Sequence, residues 1–145
     1  MPVTSQIPFP RVAPGSSVDV TVASPAPGVL IHSDGEHRFH GKTIDQAGHA
    51  QLCPGPRSFP LPGAGMHTID TRVFNLMSTS VDAPVTATLR DSAGNVVAGP
   101  FPAPPGVPAN DHRLVTILAL VSGAAGPAAK PGKPGKKTGK KKKGA

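Results

Sequence analysis

Proline and glycine interrupt this chain at short intervals, and the apolar runs between them have the length of β-strands. The 145 residues include 17 glycines and 19 prolines. In one run Val18, Val20 and Val22 alternate with Asp19 and Thr21, which is the pattern of a strand with one buried face. No run has the periodicity of a capped amphipathic helix. We predict an all-β protein with strands at residues 18–22, 29–32, 38–44, 47–52, 67–75, 85–90, 96–98 and 114–121.

Turn-forming residues separate these strands. Clusters of Pro, Gly, Asp, Ser and Asn predict turns at residues 24–28 and 33–36 and a hairpin loop at residues 91–95. Residues 53–65 and 101–110 are rich in proline and are predicted to be loops, because proline cannot donate to a strand ladder. About seven short strands with frequent turns are typical of an antiparallel β-sandwich or barrel.

The composition divides the chain into three parts. Residues 1–15 contain four prolines, which favour extended backbone and predict an N-terminal arm rather than a strand at the centre of a sheet. Residues 16–122 have the size of one β-sandwich. Residues 123–145 form a Gly/Ala/Pro linker followed by a lysine-rich tail, and we expect this tail to be disordered because like charges repel and Pro and Gly oppose helix formation.

The excess positive charge lies entirely in the last sixteen residues. The chain has a formal net charge of +7, with 15 Lys and Arg against 8 Asp and Glu. Outside the tail, seven basic residues face eight acidic ones, so a basic nucleic-acid-binding domain is not indicated there. The tail has no Arg and no aromatic residue, so any binding to polyanions should be blind to sequence. Its alternative role is a solvated, solubilising extension. The candidate polyanion-binding residues are Lys130, Lys133, Lys136, Lys137, Lys140, Lys141, Lys142 and Lys143.

Several classes of protein are disfavoured by what the sequence lacks. Cys53 is the single cysteine, so no internal disulfide can form. The N-terminal residues do not have the charged start and apolar stretch of a signal peptide, and no apolar run reaches the roughly twenty residues of a membrane span. We expect synthesis in a reducing cytoplasm. With no Trp, no Tyr and five Phe, the core should be mainly aliphatic.

The sequence offers no motif for catalysis or for a cofactor. Histidines, carboxylates and a thiol lie within a short stretch, at His32, Asp34, Glu36, His37, His40 and Cys53. Their spacing matches no closed zinc site, and on one strand His37 and His40 would point to opposite faces. We therefore expect surface or hydrogen-bonded histidines, an incidental thiol at Cys53, no metal, no cofactor and no enzymatic activity. His49, His67 and His112 stand alone in the sequence.

Residues 71–121 carry a resemblance to a known kind of module. They contain a strand ending in Asn75, the strand sequence VTATL, a D-x-x-G-N hairpin at residues 91–95, a return strand and a final apolar strand. This order resembles the C-terminal part of bacterial immunoglobulin-like (Ig-like) modules and implies an Ig-like antiparallel sandwich. Such modules, when they lack signal peptides and disulfides and bear accessory tails, look like the decoration proteins on the surface of tailed bacteriophages.

The resemblance and the charge division together lead to one expected function. We expect a non-enzymatic structural protein of a virus-like particle of the bacteriophage kind, made in the host cytoplasm and assembled into the virion. The sandwich and arm would dock on a capsid or other virion protein in an oligomeric assembly. The tail would bind nucleic acid or acidic surface polymers. The alternative is a cytoplasmic nucleic-acid-associated protein that grips DNA or RNA through its lysines; a surface adhesion module and a small metalloenzyme are further possibilities.

Overall fold

The computed structural model describes residues 3–123, which form an all-β sandwich. Nine strands build its two sheets, rather than the seven or so predicted. In chain order the elements are β1 (Val3–Val12), β2 (Ser17–Val22), β3 (Ile31–Phe39), β4 (Lys42–Ala47), the one-turn helix α1 (His49–Leu52), β5 (Arg57–Pro60), β6 (Gly65–Asn75), β7 (Val81–Asp82), β8 (Val85–Arg90), β9 (Val96–Pro102), β10 (Gly106–Val107) and β11 (His112–Val121). The first sheet has the order β1-β11-β6-β3-β4 and the second β5-β2-β8-β9, while β7 and β10 pair separately.

The core lies between the two sheets and is built from the apolar positions of the alternating strands. Val18, Val20 and Val22 of β2 are fully buried, as their alternation with polar residues predicts. On β6 the side chains of Ile69 and Val73 are equally buried, and the predicted face of that strand is confirmed. The core is mainly aliphatic, because most of its members are Val, Ile, Leu and Ala.

Residues 3–12 do not form an arm outside the sandwich. They form β1, an edge strand that runs parallel to β11, and Ile7, Phe9 and Val12 are buried in the core. The predicted boundary at residue 15 therefore needs correction. Pro8 and Pro10 are exposed within this strand. An edge strand tolerates them because only one of its sides must donate to a ladder.

The predicted turn at residues 33–36 is wrong, since these residues lie in the middle of β3. This strand pairs with β6 on one side and with β4 on the other, and Gly35 faces Thr71 and Ala47. A Cβ atom built at Gly35 would lie 3.5 Å from side-chain atoms of both Leu52 and Phe59. The glycine thus allows close packing in a strand, although Asp-Gly pairs more often mark turns.

Among the other local predictions, the hairpin loop agrees with the structure, whereas one strand and two loops differ from it. The hairpin loop at residues 91–95 is confirmed: the Asp91 amide donates to the Asn95 carbonyl at 2.9 Å, and the Asp91 carboxylate accepts from two loop amides. The predicted strand at residues 47–52 is instead the end of β4 and the helix α1. The two predicted proline-rich loops contain short strands, β5 in the first and the end of β9 with β10 in the second.

The strand order has a feature that the sequence resemblance does not imply. In Ig-like sandwiches the last two strands, F and G, are sequential neighbours in one sheet. Here the neighbours β6 and β11 are separated in the chain by the β8–β9 hairpin of the opposite sheet. The chain therefore crosses between the sheets twice before β11 inserts between β6 and β1.

Two buried polar side chains hold the crossing segments in place. Asn75 Nδ2 lies within hydrogen-bonding distance of three carbonyl oxygens, of Thr79 (2.8 Å), Val107 (3.1 Å) and Pro108 (3.1 Å), and Asn75 Oδ1 accepts from the Met77 amide at 2.8 Å. On the adjacent strand, Arg113 donates to the Gly106 carbonyl at 2.7 Å and to Ser5 Oγ at 2.8 Å. Buried polar groups need such partners, so both side chains fix the loop that carries β10.

Candidate docking surface

The eight lysines predicted to bind polyanions lie outside the described residues, so that site stays a prediction. The structure does test whether the body could bind polyanions as well. Most of its arginines are already engaged: four form ion pairs and Arg113 is buried against a carbonyl and a hydroxyl. The ion pairs are Arg38–Glu36, Arg57–Asp45, Arg72–Asp34 and Arg90–Asp19. Residues 3–123 thus offer no cluster of free cations to bind phosphate.

On the outer face of the five-stranded sheet, charged side chains form ion pairs with one another. Arg72 binds Asp34 through two nitrogens, at 2.9 and 3.1 Å. Glu36 accepts from Arg38 at 2.7 Å and from Thr43 Oγ1, and the Thr43 hydroxyl is the main cause of its lowered pKa. The oxygens of Asp34 and Glu36 are therefore engaged by neighbouring side chains of the same sheet.

Beside these ion pairs lies a strip of apolar side chains on β11. Leu114, Leu118 and Leu120 alternate with the buried residues of that strand and point to the outer face, and Met66 is opposite Leu120 on β6. Leu120 and Met66 are each more than two-fifths exposed. Scattered exposed apolar residues are ordinary, and Thr116, which donates to Asp70 at 2.8 Å, interrupts this strip between Leu114 and Leu118.

A cleft opens where the edges of the two sheets meet, between β1 and β9. Its volume is about 300 Å³, and its lining residues are Pro8, Phe9, Pro10, Arg11, Leu89, Val97, Ala98 and Phe101. The rings of Phe9 and Phe101 are 5.9 Å apart at its floor. Val97 is 57% exposed and Phe101 is 44% exposed. The cleft is therefore open and, apart from Arg11, lined by apolar side chains and prolines. Exposed apolar side chains also lie elsewhere on the surface, at Leu30 and Leu76.

The described chain ends beside this cleft. The Ser122 amide and hydroxyl both donate to the Val12 carbonyl, at 2.9 and 3.2 Å, so the end of β11 is fastened to the end of β1. A second groove of about 370 Å³ lies at this point and shares Pro10 and Arg11 with the cleft. The last described residue, Gly123, follows Ser122 at this groove.

Two histidines that lie far apart in the sequence meet in the core. His37 of β3 and His67 of β6 are 1% and 0% exposed, and their rings share a hydrogen bond of 2.9 Å between His37 Nε2 and His67 Nδ1. Burial, followed by the nearby His67, lowers the pKa of His37 to about 4. Sequence reasoning treated His67 as isolated. The signal available in the sequence was that His37 and His67 each occupy an inward-facing position in the alternating pattern of their strand.

Of the remaining histidines, His32 and His40 are exposed, and His49 and His112 are half-buried. His32 stacks on His49 with ring centroids 5.4 Å apart, and His49 Nδ1 lies 2.7 Å from Ser33 Oγ. His40 has a φ of 50° in the turn between β3 and β4. Within residues 3–123 no group of three potential ligands is arranged to hold a metal ion.

Cys53 is partly buried and packs against the core. Its Sγ atom is 3.9 Å from Ser24 Oγ, which can serve as donor or acceptor. Nucleophilic catalysis by a thiol needs a base or cationic group beside it, whereas the Sγ atom of Cys53 contacts the Ser24 hydroxyl. The expectation of an incidental thiol stays a prediction.

The chain has no significant match to any protein-family model, curated protein or solved structure. No helix among the described residues is long and apolar enough to cross a bilayer.

Proposed function

We propose that this chain is a non-enzymatic structural or decorating protein of a virus-like particle, of the kind found on bacteriophages. The sandwich docks on a capsid or other virion protein through the cleft between β1 and β9. The lysine-rich tail, which follows β11 in the sequence after a Gly/Ala/Pro linker, reaches a polyanionic surface and binds it without sequence specificity.

The observation that carries the proposal is the apolar cleft, which lies near the point where the described chain ends and where the linker to the lysine-rich tail follows in the sequence. Apolar, partly exposed side chains such as Val97 and Phe101 favour a protein partner, because a contact of this kind gains by removing apolar area from water. The body's arginines are mostly paired, so an anionic partner would be bound by the tail. One molecule therefore offers two different kinds of contact.

Docking through the cleft is tested with two single substitutions. Val97→Glu places a charge inside the cleft and should reduce co-purification with intact particles at least tenfold, since burying an unpaired charge is costly. Val96→Glu is the matched control: Val96 is the adjacent residue, is 51% exposed and is not part of the cleft lining. Equal losses for the two variants, or no loss for either, would contradict docking at the cleft.

Binding by the tail is tested with a chain that ends at Gly123. The full chain should bind duplex DNA with an affinity that falls as salt rises, with a log–log slope no steeper than about −7 if all eight lysines contact phosphates. The shortened chain should show no binding at physiological salt. A variant with the eight lysines replaced by serine controls for tail length. DNA binding by the shortened chain would refute the assignment of charge contacts to the tail.

The second candidate function is a nucleic-acid-associated protein, which the eight tail lysines favour on their own. The two functions differ in what the tail does for localisation. A decorating protein shortened at Gly123 still co-purifies with particles through its cleft, although more weakly. A nucleic-acid-associated protein loses all association when the tail is removed, and Val97→Glu has no effect on it.

A further inference from the structure

The buried histidine pair has a defined pattern of hydrogens. The Gly63 carbonyl can only accept a hydrogen bond, so His67 Nε2, which lies 3.0 Å from it, carries a hydrogen. In a neutral ring His67 Nδ1 is then the acceptor, and His37 Nε2 must donate to it. The chain of hydrogen bonds therefore runs from His37 through His67 to the Gly63 carbonyl with both rings uncharged.

One segment covers this pair. Residues 57–64, here called the flap, comprise β5 and the crossing from the four-stranded sheet to β6. Within the flap, Phe59 places its ring edge-on to His37 with centroids 6.0 Å apart, and Gly63 provides the carbonyl that His67 binds. The flap is held to the rest of its own sheet by β2 alone, through four residue pairs that start at Ser17.

The charged groups around the pair belong to neighbouring edge strands. Asp45 of β4 is directly opposite His37, and its carboxylate pairs with Arg57 of the flap at 2.8 Å. This ion pair joins the edges of the two sheets. Asp45 favours a charge on His37 and Arg57 opposes it. On the other side, the ring of Phe39 separates His67 from the turn residue His40, with centroid distances of 4.3 and 4.0 Å.

Acid would convert this arrangement into an unfavourable one. A first proton would place a positive charge in the core next to the flap. A second proton would put hydrogens on both facing nitrogens, His37 Nε2 and His67 Nδ1, and the hydrogen bond between them would be lost. Because a buried charge is stabilised by water, movement of the flap would relieve the charge by hydrating the pair, at the cost of exposing Phe59 and Leu61, which are 0% and 2% exposed in the closed form. We infer that the His37–His67 pair is an acid-sensitive latch, which keeps the flap closed at neutral pH and releases it when the pair is protonated.

The direction of the pH effect follows from proton linkage. The pKa of His37 is lowered from 6.5 to about 4, so the open flap binds a proton that the closed flap does not bind between these values. The closed form is fully stable above about pH 6.5 and is progressively destabilised as the pH falls to about 4. The equilibrium constant for opening rises up to about tenfold per pH unit, or roughly 300-fold across the window.

Amide hydrogen exchange of the full chain tests the latch. The Leu61 amide donates to the Ser16 carbonyl at 3.0 Å and reports flap opening directly. After correction for intrinsic exchange rates, its protection should fall by one to two orders of magnitude between about pH 7 and pH 4.5, as linkage requires. His37→Gln should flatten this dependence. His32→Gln, an exposed histidine on the same strand, should leave it unchanged.

Two results would overturn the inference. One is protection of Leu61 that does not change with pH in the native chain. The other is pH dependence that survives in His37→Gln but disappears in Asp45→Asn, which would assign the effect to the carboxylate. Should His37→Gln fail to fold, nitrogen NMR of the native imidazoles decides: a His37 midpoint near its ordinary value would refute the latch.

Discussion

Asn75 is the residue whose replacement should most clearly weaken the fold without touching the aliphatic core. It is 2% exposed and ties three carbonyls and one amide of the loops around β7 and β10 to the end of β6. Its Nδ2 has two hydrogens to share among the three carbonyls, so the side chain supplies about three hydrogen bonds. At about 1 kcal/mol net for each bond, with a further cost for buried groups left without partners, Asn75→Ala should destabilise the fold by about 3–4 kcal/mol. This is a large part of the roughly 5–15 kcal/mol expected for a domain.

Asn75→Asp gives a sharper version of the same prediction. The carboxylate still accepts from the Met77 amide, but it would face the three carbonyl oxygens without a hydrogen to donate. We expect it to be more destabilising than Asn75→Ala near neutral pH and to recover stability in acid, where the protonated carboxyl can donate. The native chain and a matched Ala variant measured at each pH separate this recovery from the acid sensitivity of the histidine pair.

Urea unfolding followed by far-ultraviolet circular dichroism is the suitable assay, because the chain has no Trp or Tyr to serve as a fluorescent probe. Asn95→Ala is the control: this asparagine is exposed in the β8–β9 hairpin and contributes its backbone, not its side chain, to the hydrogen bonds of the loop. Its replacement should change stability by less than about 0.5 kcal/mol. A loss below about 1 kcal/mol for Asn75→Ala would refute the role assigned to the side chain.

Three further substitutions test the packing and polar contacts. Thr71→Val should stabilise the fold by about 1 kcal/mol in the same unfolding assay, because Thr71 Oγ1 is the one buried side-chain polar atom without a partner among the described residues; destabilisation would show that the hydroxyl has a role. Gly99→Ala should lower the free energy of unfolding by about 2 kcal/mol or more. The reason is that Gly99 has a φ of 94° and that an added Cβ would lie 2.8 Å from the Ala87 carbonyl oxygen. An unchanged unfolding midpoint would show that the substitution causes no backbone strain. Arg113→Lys should cost about 2 kcal/mol, because an ammonium group cannot reproduce the two-pronged contacts of the guanidinium, and a neutral result would show that the charge alone matters.

Local patterns predicted most of the strands because they depend on neighbouring residues. The valines of β2 and the apolar positions of β6 and β8 alternate with polar residues, and this period of two is a property of the strand itself. Predictions failed where a distant contact prevailed over a local signal. Asp34 and Gly35 resemble a turn, yet two neighbouring strands and the close packing of Leu52 make them part of β3.

The candidate docking surface was likewise predictable from the sequence only in part. The eight lysines are visible in the sequence because a charge run needs no partner to be recognised. The cleft is not, because Phe9 and Phe101 are separated by most of the chain and meet only when β1 and β9 form the neighbouring edges of two sheets. The pairing of His37 with His67 was also missed, since each is an ordinary inward position on its own strand.

The sequence by itself determined the class of fold, the aliphatic character of the core and the separation of charge between body and tail. All three follow from composition and from the order of neighbouring residues. The tertiary structure alone decided that β1 lies beside β11, that β11 inserts next to β6, and which buried polar groups meet. Those outcomes depend on contacts between residues far apart in the chain. Many strand orders would bury the same alternating faces, and the packing of particular side chains selects one of these orders.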